Sequence, residues 1–161
     1  DNEWNWFRWG EWQSTSAPER ARMHDFVRNI IEFRKRNTHA FSPTEYGGGM
    51  SYAWKDASNG ENVDWGGRHL MMHYYGEGKE LAVIMNMERS DVEFTLPEGR
   101  EWQVVADTQS HYDSESYLQE SGRSNRESAN ISLEGSDGEV GSTVSGSYVA
   151  KGITFVVLEE K

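Results

Sequence analysis

The 161-residue sequence contains no cysteine, which removes disulfides and thiolate metal sites from consideration. The absence leaves the redox compartment open. Positive charge is also scarce: 16 Lys and Arg against 27 Asp and Glu give a net charge of −11. That balance argues against nucleic acid and anionic membranes as partners, because both repel an acidic surface. No apolar run approaches the roughly 20 residues of a membrane span, and the mean hydropathy of −0.83 marks a well-solvated chain. No G-x-S-x-G elbow, H-E-x-x-H pair or phosphate loop occurs. Gly47-Gly48-Gly49 lacks the Lys-Ser/Thr that a phosphate loop needs. An initiator Met and a signal peptide are missing too, so the start reads as the broken edge of a larger protein.

Aromatic residues, by contrast, crowd the start. Four of the seven tryptophans lie within Asp1-Asn2-Glu3-Trp4-Asn5-Trp6-Phe7-Arg8-Trp9-Gly10-Glu11-Trp12. No regular helix or strand requires that density. Flat indole rings suit stacking on sugar rings or filling a groove between domains.

Ser16 and Glu19 have capping-box spacing, and Pro18 is tolerated in a first turn. A helix over about 18–36 is expected, because Met23, Phe26, Val27, Ile30 and Phe33 form one apolar stripe widened by Ile31. Arg34-Lys35-Arg36 complement the carbonyl end of its dipole, and Asn37 and Thr38 are expected to stop it. Residues 38–67 read as irregular, apart from a short strand in Met50–Trp54; Trp54 and Trp65 are isolated aromatics of undecided burial.

From residue 68 the period becomes two. Strands are expected at Arg68–Tyr75, Lys79–Met87, Val92–Leu96 and Trp102–Val105, with hairpin chemistry at Gly76-Glu77-Gly78. Leu81, Val83, Met85 and Met87 share one face of their strand and Ala82 and Ile84 the other, which predicts a central strand covered on both sides. Residues 107–129 form a polar stretch that reads as an insertion. Asn130–Leu133 is a candidate strand, and Gly135–Gly146 a flexible stretch. Ser147–Ala150 and Ile153–Leu158 read as a closing hairpin. The fold class that follows is mainly β: an antiparallel sandwich preceded by one α-helix and an irregular Trp-rich stub.

Several segments carry a resemblance. Asp1-Asn2-Glu3 with Trp6 and Trp9 is similar to the D-N-E-x-x-W-x-x-W stretch of the glycogen-debranching, isoamylase-type branch of the α-amylase superfamily. Phe26-Val27-Arg28 through Arg36 resembles that family's last barrel helix. Leu81–Asn86 resembles the Asn-ended strand of its C-terminal β-domain. Leu96-Pro97-Glu98-Gly99, with Trp102 and Asp107-Thr108, resembles its L-P … W … D-T block, and Tyr148–Leu158 also fits. The resemblance implies that residues 1–45 end a catalytic (β/α)8 barrel and that 46–161 form a C-terminal β-sandwich domain.

It also implies a parent enzyme that cleaves α-1,6-glucosidic branch points with retention, using two carboxylates. The family's catalytic motifs precede the D-N-E stretch, so no catalytic residue is expected in this chain. Asp1, Asn2, Trp4 and Trp6 are the candidates for contact with substrate, since that stretch borders the family's cleft. Trp4 and Trp6 fit equally well, and Trp9 and Trp12 better, as wedges between barrel and β-domain. The implied partner is an α-glucan, glycogen or amylopectin, reached through the parent barrel. No cofactor and no metal is implied, and a cytoplasmic location is expected. His69 and His73, four apart without a third ligand, read as surface strand residues rather than a zinc site. Two rivals remain: a stand-alone carbohydrate-binding module for α-glucans, and an interaction domain docking through the stub. For the helix, packing on the β-domain and packing on the missing barrel stay open, and what its stripe meets decides between them.

Overall fold

The computed structural model describes residues 18–42, 48–108 and 142–161, with side chains from Val27 onward. The Trp-rich stub and the 109–141 segment, including the strand expected at Asn130–Leu133, lie outside the described residues.

Helix α1 spans Pro18–Arg36, as the apolar stripe and basic last turn predict. α1 stops at Asn37, as expected, but helical structure resumes directly after it. Its side-chain amide donates to the Phe33 carbonyl at 3.1 Å, and its own carbonyl accepts from the amides of Ala40 and Phe41. A second helical turn, α2 (Thr38–Phe41), follows at once. The expectation of irregular chain from residue 38 is corrected here, because Phe41 has an apolar face to bury.

Among the described residues eight strands follow: β1 (Ser51–Lys55), β2 (His69–Tyr75), β3 (Leu81–Asn86), β4 (Val92–Thr95), β5 (Trp102–Asp107), β6 (Thr143–Val144), β7 (Ser147–Ala150) and β8 (Thr154–Glu160). All pairings are antiparallel. The main sheet runs β1-β2-β3-β8-β5-β6, and β4 pairs with β7 in a two-stranded sheet. β3 is central, flanked by β2 and β8, as its two apolar faces predict.

Those faces build two cores. On one side Met71, Ala82, Ile84, Trp102, Val104, Val156 and Leu158 meet Phe94, Leu96 and Ala150 from the small sheet and its flank. On the other, Leu81, Val83, Val105, Ala106 and Val157 meet Phe33, with Ile30, Ala40 and Phe41 beside it. A register shift between Val104 and Ala106, opposite β8, carries β5 across both cores. An irregularity of this kind turns successive side chains to new faces, and Val105, next to Val104 in the strand, is 2% exposed. Met87 lies past the end of β3 and is exposed.

The closing hairpin does not form. β7 pairs with β4, from Val92↔Ala150 to Thr95↔Ser147, whereas β8 lies between β3 and β5. The chain therefore crosses from one sheet to the other at Lys151–Ile153, where Ile153 adopts φ 57°. Thr143 and Val144, expected within a flexible stretch, pair with Gln103 and Trp102 as β6.

Candidate functional site

The residues expected to touch substrate, Asp1, Asn2, Trp4 and Trp6, lie outside the described residues, as do Trp9 and Trp12. The structure does place the resemblance-bearing residues of the sandwich, and it buries Asn86, Leu96, Trp102 and Asp107 among them.

Asn86, last residue of β3, is fully buried. Its amide nitrogen donates toward the carbonyls of Ser90, Ala150 and Lys151, at 3.0, 3.0 and 2.9 Å. Its oxygen accepts from the Glu88 amide at 3.0 Å. With two hydrogens facing three carbonyls, one hydrogen is shared. This single side chain fastens the β3 end, the turn into β4 and the inter-sheet crossing. Nearby, Asp91 accepts from Lys151 Nζ at 2.8 Å and from the Gly152 amide. The Lys151 hydrogen bond, foremost, holds the Asp91 carboxyl below its ordinary pKa.

The 96–108 block turns part of itself inward and leaves Glu98, Gly99 and Glu101 exposed. Leu96 and Trp102 are fully buried and Asp107 is 5% exposed. Asp107 accepts from the Tyr148 hydroxyl at 2.6 Å, tying the small sheet to the large one. Burial, reinforced by that hydrogen bond and the Asp107 charge, pushes the Tyr148 phenol well above its ordinary pKa. Thr108 Oγ1 accepts from the Phe155 amide at 3.0 Å.

One acid–base cluster is interior as well. Glu80 accepts from Arg100 and pairs with His73 Nε2 at 2.7 Å. Arg100 Nε also lies 3.5 Å from Glu160, and the His73 ring meets Trp102 edge-on at 6.0 Å. The expectation that both histidines lie at the surface is corrected for His73, whose side chain is 12% exposed. The strand's inward face points at Trp102, and Glu80 supplies the partner that a half-buried imidazole requires. His69 is partly exposed, 3.9 Å from Glu88. Glu80 spends both oxygens on partners within the fold, so this cluster locks the β2–β3 hairpin to β8 rather than presenting a carboxylate to a ligand.

Among the described residues, apolar side chains face outward on α1 and on β1. On α1, Val27 and Ile31 are each 47% exposed although Phe33 of the same helix is buried. The helix stripe thus meets the sheet along one edge and leaves the other open. Beside the helix-covered face, Tyr52 and Trp54 project from the same side of β1, opposite Tyr74 and Met72. Trp54 meets Tyr52 at 6.5 Å and Trp65 at 5.8 Å, both edge-to-face. Trp65 is 70% exposed and Tyr52 58%. Sequence reasoning treated Trp54 and Trp65 as isolated; the i, i+2 spacing of Tyr52 and Trp54 is the signal for half of this row, whereas Trp65 arrives through a loop.

In class, this is an antiparallel β-sandwich backed by a helix, with Glu80, Asn86 and Asp107 turned to internal fastening. Residues 71–110, from within β2 through β5, match the family model described as the pullulanase all-beta domain. The match spans about a quarter of the chain, takes in Leu81–Asn86 and the 96–108 block, and supports a domain of the starch-debranching type of glycoside hydrolase. It does not single out the isoamylase-type branch that the motifs resemble. No curated protein matches the chain.

Proposed function

We propose that this chain is the C-terminal part of a debranching glycoside hydrolase that acts on α-1,6-glucosidic branch points of glycogen or starch. Residues 1–45 are then the end of its barrel, and 46–161 a sandwich whose role is structural. The catalytic carboxylates belong to barrel strands upstream of this chain, and the α-glucan partner is met chiefly by that barrel, with Asp1, Asn2, Trp4 and Trp6 at its rim. The observation that carries the reading is the fate of the family-like residues. Asn86, Leu96, Trp102 and Asp107 are all buried and committed to internal packing or hydrogen bonds. A domain that resembles a debranching enzyme through its fasteners resembles it as a scaffold. The open edge of α1 at Val27 and Ile31 gives that scaffold an apolar strip to set against the barrel.

The test is twofold. The native polypeptide containing this sequence should exceed it by at least a barrel, about 250 residues, and should release linear chains from amylopectin. The 161-residue chain alone should release none. A native polypeptide that starts near Asp1, or turnover by the purified chain, would overturn the reading.

A further inference from the structure

The aromatic row on β1 is not used by the fold as its other rings are. Trp102 and Phe94 are fully buried, and Phe41 and Tyr74 pack edge-on at 5.3 Å beneath the helical segment. Tyr52 and Trp65 instead spend most of their surface in water. Leaving a large ring exposed forgoes the burial that makes aromatics valuable to a core, so a paired set at one spot asks for an occupant.

Their setting is rigid. Tyr52 and Trp54 stand on a strand paired along its length with β2. The loop carrying Trp65 is pinned twice. Asp56 accepts from the amides of Ser58 and Gly60, both at 2.8 Å. Asp64 accepts from the Gly66 amide at 2.9 Å, with the Gly67 amide returning to the Asp64 carbonyl. The Thr95 amide also bonds the Ala57 carbonyl at 2.8 Å, tethering the loop to β4. Trp54 then meets Trp65 at 75° and Tyr52 at 81°, so the three rings are steeply inclined to one another. Rings inclined in this way suit a curved chain of sugar rings, whose apolar C–H faces turn along its course, better than a straight, flat one.

We infer that Tyr52, Trp54 and Trp65 form a surface binding site for an α-1,4-glucan chain, separate from the barrel cleft. The inference rests on the glucan-debranching reading above and adds a second point of contact to it. Sugar rings have apolar faces that stack on indole and phenol, and Tyr52 adds a hydroxyl for their polar rim. The net charge of −11 disfavours anionic ligands and leaves a neutral one unaffected. The site would hold a branched polymer near the enzyme, raising its local concentration at the cleft.

Affinity electrophoresis of the 161-residue chain in native gels cast with soluble amylopectin is the experiment, with cellohexaose and maltoheptaose as competitors. Retardation by amylopectin is expected, relieved by maltoheptaose and not by cellohexaose. Trp65→Ala should weaken it about tenfold, the loss of one well-placed ring contact. Tyr52→Ala should weaken it in the same direction, and Val27→Asp on α1 should leave it unchanged. Trp65 is exposed enough that its removal spares the fold, which circular dichroism checks. Absent retardation, or retardation equal in wild type and Trp65→Ala, overturns the site. Debranching by the native polypeptide is scored separately. If it cleaves amylopectin while Trp65→Ala lowers its Tm and leaves glucan binding intact, the row is a domain contact; the site falls and the debranching reading stands.

Discussion

Replacing Asn86 by Asp alters one group and no shape, yet it reverses what the group offers its surroundings. The native amide donates toward three carbonyls, of Ser90, Ala150 and Lys151. An aspartate there can accept only, and it faces the same three oxygens. The bond to Ala150 is the fully buried one, so its carbonyl bears the whole cost of losing a donor, about 1–3 kcal/mol. The other two lie nearer water and recover part of theirs. Asn86→Ala should therefore cost about 2–4 kcal/mol, which at a urea dependence of about 2 kcal/mol/M lowers the unfolding midpoint by about 1–2 M. Asn86→Asp should cost at least as much at neutral pH, and its cost should depend on pH. Burial among carbonyl oxygens raises the folded-state carboxyl pKa above its unfolded value near 4. The folded state then binds more protons than the unfolded, and stability falls as pH rises through that window. Urea titrations followed by tryptophan fluorescence should place Asn86→Asp closer to wild type at pH 5 than at pH 7.5, while Asn86→Ala keeps a constant deficit. An Asn86→Asp protein as stable as wild type at pH 7.5, or one that loses stability toward pH 5 faster than wild type, would refute the staple.

Other perturbations probe different joints. An added Cβ on Gly152 would meet the Arg89 carbonyl carbon at 2.7 Å and crowd its oxygen more closely still; Gly152→Ala should cost about 1–3 kcal/mol and lower Tm by several degrees, and a calorimetric Tm within 1 °C of wild type, on the order of the measurement error, would contradict the close approach. Tyr148 keeps its proton in the folded state, so the stability it contributes is present below its unfolded pKa of about 10 and lost as pH rises above it. The deficit of Tyr148→Phe relative to wild type should therefore shrink above about pH 10; a deficit that grows with pH in denaturant titrations would oppose the assignment. Phe33 is the buried anchor of α1, and Phe33→Ala should cost about 3–5 kcal/mol of docking, seen as helical ellipticity at 222 nm melting ahead of tryptophan fluorescence; coincident transitions near the wild-type midpoint would show that the helix is held elsewhere.

Local pattern made much of this fold readable. The stripe of α1 and the two-faced apolar pattern of β3 each specify an environment within a few residues, and periodicity reports environment directly. Pairing across distance was not readable. Ser147–Ala150 and Ile153–Leu158 look like a hairpin because they are adjacent and alternate, yet Ala150 pairs with Val92 and Leu158 with Ala82. Alternation says that a strand has two faces and not which sheet receives it. The helical turn after Asn37 was hidden because a side chain, rather than a run of good helix formers, carries the chain through. At the candidate surface, Tyr52 and Trp54 could be paired from their spacing, but Trp65 joins them through turns whose geometry depends on Asp56 and Asp64. His73 looks superficial in the sequence because its partners come from elsewhere in the chain, Glu80 from the turn just before β3 and Trp102 from β5.

The place of β8 bears on how such a domain comes into being. Thr154–Glu160 is inserted between β3 and β5, and Ala82 faces Leu158 across it. Both cores are lined by that strand, through Val156 and Leu158 on one side and Val157 on the other. A ribosome releasing this chain therefore delivers β3 and β5 with a gap between them and their facing edges unpaired. Neither half-sheet can be joined to the other until β8 emerges. Closure is a late, long-range event of the kind that folds slowly and exposes sticky edges while it waits. Cellular chaperones would meet this domain as an open sheet, and a stop codon placed before residue 154 would leave it permanently in that state.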